Sequence, residues 1–197
     1  MNPATSSFYT REELHAVGLK AFGNNVLISR HARIYNPGAI VIGDHVRIDD
    51  FCVVSGGAGI EMGSYIHIAA FTALYGSAGI VLGDFTGLSA RVTLHSESDD
   101  YSGRTLTNPM TPERYRTRMN RGQIVLKKHT IIGTNTTIMP GVTVGEGTAV
   151  GAHSFVTKSC AEWSIYFGAP ARRISRRRTD VLEHERQIRA ALNEGTA

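Results

Sequence analysis

The sequence predicts an all-β solenoid, a parallel β-helix, and three observations carry that reading. From Ile124 to Val156 an aliphatic residue returns every sixth position, at Leu126, Ile132, Ile138, Val144, Val150 and Val156. A period of six fits neither the 3.6 of a helix nor the 2 of a plain strand, but it fits a short strand and a tight turn, repeated. The same ladder extends upstream through Ile28, Ile34, Ile42, Ile48, Val54, Met62, Ile68, Leu74, Leu82, Leu88 and Leu94, with three eight-residue steps that recur every 20 residues. Finally, 21 glycines in 197 residues suit a fold made of turns.

Three repeats close one triangular coil, and coils stack at the interstrand spacing of roughly 4.8 Å. Each coil buries its aliphatic ladder against the next, because one repeat cannot cover its own apolar side. The ladder defines three sides of a prism: X (Ile48, Ile68, Leu88), Y (Ile34, Val54, Leu74, Leu94) and Z (Ile42, Met62, Leu82). The longer steps carry the similar segments NPGAI, GGAGI and GSAGI, so Gly-rich turns widen the Y/Z corner in three successive coils.

Taken in order, residues 1–25 are expected to be a loose arm and a capping helix. Thr10 and Glu13 form a capping box ahead of Leu14, Val17 and Phe22, and Gly23 is the expected stop. The apolar side of this helix should close the open first coil. The β-helix occupies 26–176. After Leu94 the next position on side Z falls near residue 102, yet the pattern resumes only at Leu126. The surplus residues form an excursion over about 95–122 that leaves at the widened corner; it is polar, contains Pro109 and Pro112, and cannot continue the ladder. A long loop inside a compact solenoid is usually functional. Residues 177–197 hold a terminal helix, Asp180 to Leu192, that caps the last coil or packs on a neighbouring subunit.

Composition narrows the function classes. A chain of 21.4 kDa suits one domain with a substantial core. No stretch approaches the ~18 apolar residues of a membrane span, and the polar start MNPATSSFYTREEL lacks the form of a signal peptide, so a cytoplasmic location is expected. The net charge of +4 owes much to Arg172, Arg173, Arg176, Arg177 and Arg178, but no aromatic stacking platform accompanies them, which argues against a nucleic-acid partner. Phosphates of a small cofactor, or solvent, are the expected company of these arginines. Cys52, two before Val54, is expected to be a buried thiol, and neither it nor Cys160 a nucleophile.

The hexapeptide pattern, the long excursion and the closing YFGAPARRI resemble the bacterial sugar acetyltransferases of the left-handed β-helix class, relatives of the galactoside and maltose acetyltransferases. The resemblance covers roughly Val26 to Arg176. It implies left-handed coiling, acetyl-CoA as cosubstrate, a sugar acceptor, and homotrimers with active sites in the clefts between prisms. The expected function is therefore acetyl-CoA-dependent O-acetylation of a sugar or cell-surface saccharide precursor. N-acetylation of a nucleotide-linked amino sugar is the alternative, and a non-catalytic β-helix scaffold a further one. The γ-class carbonic anhydrases share the fold but bind zinc through three histidines, two of them four residues apart; no histidine pair here has that spacing, and no metal is expected.

Acetyl transfer from a thioester needs a base, an oxyanion donor and a cradle for coenzyme A. His15 and His184 fall in the expected helices, and His31, His45, His129 and His153 in turn or surface positions without acidic company. His67 differs: Ile66 and Ile68 point inward, so strand alternation sends its imidazole outward from side X. By resemblance, enzymes with a loop like SDDYSG carry a histidine at that place. His95, at the mouth of the excursion, is the competing base. The galactoside and maltose enzymes carry their catalytic histidine five residues after the position matching Leu94, where this sequence has Asp99. That departure implies an exchange of roles, with His67 as base and Asp99 or Asp100 as its orienting acid. Tyr101 and Asn108 are expected to contact the sugar. By resemblance, Thr134 and Ala152 offer backbone contacts to the pantetheine arm, while Thr157, Lys158 and Arg172 meet the nucleotide end.

The repeat also argues for a shared site. His67 projects from side X, whereas Asp99 and Asp100 leave at the opposite Y/Z corner, and one side of the prism is roughly 20 Å long. A neighbour related by threefold rotation can bring its own side X to that corner.

Overall fold

A computed structural model of the chain describes residues 7–193. It is a left-handed parallel β-helix with a helix at each end. Every ladder residue named above lies on the side of the prism expected for it. Side X aligns Val46–Ile48, Ile66–Ile68, Gly87–Leu88 and Ile131–Ile132; side Y aligns Arg33–Tyr35, Val53–Ser55, Ala73–Tyr75 and Thr93–His95; side Z aligns Ile40–Ile42, Ile60–Met62 and Ile80–Leu82. Leu82 pairs with Leu126 across the excursion, so the chain re-enters the prism on side Z without losing register. The inward residues form one apolar column in which Ile28, Ile48, Ile68, Leu74, Leu94, Ile132 and Ile138 are fully buried.

The helix α1 (Arg11–Val17) begins with the expected capping box, Thr10 and Glu13 each satisfying the other's backbone N–H. It ends earlier than expected. Gly18, not Gly23, takes the left-handed conformation, at φ 83°, that closes the C-terminus. Gly23 instead lies against side Z, where its N–H donates to the Ile42 carbonyl and a Cβ would strike Asp44. Leu14 is the buried residue of α1 and joins the core, so the helix does close the first coil. The arm expected over 1–9 is tied down where it is described: the Tyr9 N–H donates to the Ile28 carbonyl, and residues 1–6 lie outside the described part.

The excursion is built as a hairpin. Glu97–Asp99 and Met119–Arg121 pair antiparallel, Arg121 bridges Glu97 at 2.6 Å, and its guanidinium donates to the Ser77 carbonyl in a widened turn. Ser96 anchors the base of the stem by donating to the Tyr75 carbonyl. The C-terminal helix α2 (Val181–Asn193) packs back on its own prism at the Z/X corner. There Glu185 meets Lys128 at 2.5 Å, His129 at 2.7 Å and Arg189 at 2.6 Å. The helix therefore settles on its own chain, not on the end of the last coil.

That corner also stacks rings. His45, Tyr65, Phe85 and His129 follow one another at 4.8, 4.8 and 5.0 Å between centroids with nearly parallel planes. Each holds a positive φ, between 55° and 60°, which the turn demands and which costs a non-glycine residue energy. Stacking and burial offset part of that cost.

Candidate active site

The strand Ile66–Ile68 places His67 as strand alternation requires, Ile66 and Ile68 buried and the imidazole outward on side X, 53% exposed. Its Nε2 lies 2.8 Å from Oδ2 of Asp49, which is 18% exposed and also receives the Arg47 guanidinium at 2.6 Å. Burial alone would raise the Asp49 carboxyl, but hydrogen bonds from His67 and Arg47 outweigh it and hold the group below its ordinary value. With Asp49 accepting the Nε2 proton, Nδ1 carries the lone pair, the arrangement that orients a histidine base.

Within one chain, then, the carboxylate beside His67 is Asp49 and not the expected Asp99 or Asp100. The reason is local: one coil spans 20 residues on this side, so Arg47 stands over His67 and Asp49 diagonally across from it. Asp99 and Asp100 are on the hairpin, apart from the hollow that His67 lines with Ala69 and Ser89. Asp100 is engaged by its own turn, accepting from the backbone N–H groups of Ser102 and Arg104 and from the Ser102 hydroxyl, which lowers its pKa. Asp99 lines a different cleft.

That cleft, of about 550 Å³, lies between side Y and the hairpin and is bounded by His95, Asp99, Tyr101, Thr137, Met139 and Phe155. His95 is half-buried there, stacked on Tyr75 at 5.1 Å, and burial pushes its pKa down. Three of the expected residues, His95, Asp99 and Tyr101, thus share one cleft, while His67 stands on another side of the prism. Asn108 is caught in a loop turn, its side-chain oxygen accepting from the Met110 N–H.

The residues expected to hold coenzyme A divide between two corners. Thr134 and Ala152 lie in the X/Y turns between their strands, and the Thr134 hydroxyl donates to the Ala90 carbonyl at 2.6 Å. Thr157 and Lys158 follow Phe155–Val156 at the Y/Z corner and are exposed. Arg172 begins the exposed strand Arg172–Arg176 that extends side X. Of the other arginines in that run, Arg173 donates to the Ser164 hydroxyl and Arg177 to the carbonyls of His129 and Gly147, so part of the basic cluster serves the fold.

One further reading changes, that of His129. His129 is not a solvated turn residue without acidic company: it is 6% exposed and hydrogen-bonded to Glu185. No pattern before α2 could reveal that partner, because it comes from outside the repeats. Both cysteines are buried, and burial pushes each thiol up to about 11, which leaves neither poised as a nucleophile. Among the described residues no cluster of His, Cys, Asp and Glu could hold a metal ion, and no helix is long and apolar enough to cross a membrane.

Residues 124–158 match the family described as bacterial transferase hexapeptide (six repeats). The dTDP-4-amino-4,6-dideoxy-D-glucose acyltransferase of Escherichia coli is 40% identical over 174 residues, 88% of this chain and 90% of that protein. The crystal structure of AntD, an N-acyltransferase from Bacillus cereus, in complex with dTDP and 3-hydroxybutyryl-CoA is 47% identical, superposes with a TM-score of 0.92, and is covered over its full length by 96% of this chain. The putative lipopolysaccharide biosynthesis O-acetyl transferase WbbJ of Escherichia coli K12 is 29% identical over 85 residues, 43% of either chain. Since the 40% identity reaches across nine-tenths of the first relative, this chain belongs to the hexapeptide-repeat sugar acyltransferases.

Proposed function

We propose that this protein transfers an acyl group from an acyl-CoA to the amino group of a dTDP-linked 4-amino-4,6-dideoxy sugar. The observation that carries this reading is the extent of the similarity: the relatives that match nearly the whole chain, excursion included, are acyltransferases of that nucleotide-linked amino sugar. The O-acetyltransferase relative matches less than half of it. The amino sugar, the alternative in the sequence reading, therefore replaces the sugar hydroxyl as acceptor.

The chemistry asks little of the protein beyond positioning and proton transfer. The amine nitrogen attacks the thioester carbonyl, a C–N bond forms, the C–S bond breaks, and the proton lost by nitrogen is balanced by one gained by the coenzyme A thiolate. His67, oriented through Nε2 by Asp49, presents Nδ1 to take the amine proton. Asp99 and Tyr101 from the hairpin and His95 from the adjoining side Y strand, all of a threefold neighbour brought to this side X, complete the site around the sugar, and the assembly is a homotrimer. Coenzyme A runs along the late coils, with Thr134 and Ala152 beside the pantetheine arm and Thr157, Lys158 and Arg172 at the phosphates. The reaction takes place in the cytoplasm.

A panel of sugars, amino sugars and their dTDP conjugates with acyl-CoA donors, following thiol release, tests the reading. Transfer should require both the dTDP group and the 4-amino group; equal transfer to a sugar with only hydroxyls would overturn it. Replacing Lys158 and Arg172 together by Ala should raise the KM for acyl-CoA roughly tenfold or more, the scale of a lost charge-assisted contact; an unchanged KM removes them from the site. Mixing inactive His67→Ala subunits with inactive Asp99→Ala, Asp100→Ala subunits should restore activity, because one kind of cleft regains both groups. Remixed trimers that stay inactive would place the groups within one chain.

A further inference from the structure

On side X the outward residue of each coil forms its own column: Leu27, Arg47, His67, Gly87, Ile131 and Ala149 in register. Gly87 alone has no side chain there, and nothing in the fold requires a glycine at that place. Its φ lies outside the left-handed region, and the nearest atom to an added Cβ is Cγ1 of Ile131 at 3.9 Å, an ordinary contact. Among the described glycines only Gly38 and Gly87 combine such a φ with such room, and Gly38 sits in the short 3-10 turn Pro37–Ala39. Glycine within a strand otherwise marks close approach by a ligand or another backbone.

The missing side chain joins two hollows, each of about 300 Å³, that share Gly87 and Ile131 as floor. One is bounded by His67 and Ser89; the other runs beneath α2 to Ile188. We propose that Gly87 sets the size of the acyl group, the trough over it taking the aliphatic tail of the acyl-CoA and admitting chains longer than acetyl. This rests on the acyl-transfer reading above. His67 must stand near the amine as it attacks the carbonyl, so an acyl tail reaching onward from the carbonyl lies over Gly87 against Ile131, short of the hollow beneath α2, which Arg177, His184 and Glu185 make polar. Around Gly87 the first hollow is apolar apart from His67 and Ser89 at one end. A sugar ring laid there would leave hydroxyls without partners, whereas an alkyl chain loses nothing.

The test compares acetyl-CoA with butyryl-CoA in the wild type, Gly87→Ala and Gly87→Leu, reading kcat/KM with a dTDP-4-amino-4,6-dideoxy sugar and, by calorimetry, the Kd of each thioester and of free coenzyme A. The butyryl-to-acetyl ratio of kcat/KM should fall about thirtyfold or more in Gly87→Leu and by a smaller factor in Gly87→Ala, the range that a methylene or two commands in a shaped pocket. A ratio that stays within about threefold of wild type in both variants overturns the proposal, since the trough then takes the acceptor or nothing. If the wild type acylates no amino sugar, the functional reading has failed, and the Kd values decide alone: Gly87→Leu must weaken butyryl-CoA relative to coenzyme A, and an unchanged relative Kd contradicts the role. Should Gly87→Leu fail to fold, Gly87→Ala carries the same comparison.

Discussion

Two histidine–carboxylate pairs stand on this prism at nearly the same length, His67 with Asp49 at 2.8 Å and His129 with Glu185 at 2.7 Å. Their surroundings differ. His67 is 53% exposed on an open side of the prism, beside a trough; His129 is 6% exposed, stacked under Phe85 and covered by α2. The same pairing thus has two different settings: the His67 ring is open to solvent, as the proposed proton transfer requires, and the His129 ring is sealed beneath a helix that it helps to hold. The charges around the acids agree. Burial would raise the Glu185 carboxyl, but Lys128, Arg189 and His129 bring it down to about 2, a stabilising clamp.

The largest effect expected from this contrast is at the exposed ring. His67→Ala should lower kcat about 100-fold or more, the usual scale of a lost general base. His95→Ala, at a half-buried ring facing the other cleft, should cost much less; the reverse order would move the base to the mouth of the hairpin. The buried pair should show itself in stability. Glu185 is protonated more readily in the unfolded chain, near the ordinary value of 4.5, than in the fold, where its pKa is about 2. Its contribution is therefore complete above pH 4.5 and is lost as the pH falls from there towards 2. Unfolding free energies measured across that window should decline less in Glu185→Gln than in the wild type, and parallel curves would show that the clamp is not formed.

How much of this could be read from the sequence follows from what repeats and what does not. The ladder, the three sides, the widened corner and the exit of the excursion are all consequences of period, and Leu82 pairing with Leu126 shows that the pattern survives its interruption. The outward direction of His67 needed only Ile66 and Ile68. Its partner Asp49 follows from the same arithmetic only one step removed, since a 20-residue coil brings 47, not 49, directly over 67 and leaves the acid on the diagonal. The ring column at 45, 65 and 85 carries the same signal. What could not be read lies where period ends. The chain after Pro170 has no repeat, so the return of Glu185 to His129 depended on a path that no local pattern sets. The stop at Gly18 was hidden behind Gly23, because either glycine can cap and only the packing of Gly23 against Asp44 separates them.

The most direct test replaces each acid by its isosteric amide, Asp49→Asn and Glu185→Gln, and measures both kcat and the free energy of unfolding on the same preparations. A crossed result is expected. Asp49→Asn should lower kcat about tenfold or more with stability changed by under about 1 kcal/mol, as befits a pair whose imidazole stays half-exposed to solvent. Glu185→Gln should leave kcat within about twofold and remove about 1–3 kcal/mol of stability, the cost of breaking buried charge-assisted hydrogen bonds. If the two variants lose activity and stability in the same proportion, both pairs do one job, and the division between a catalytic and a clamping histidine is wrong.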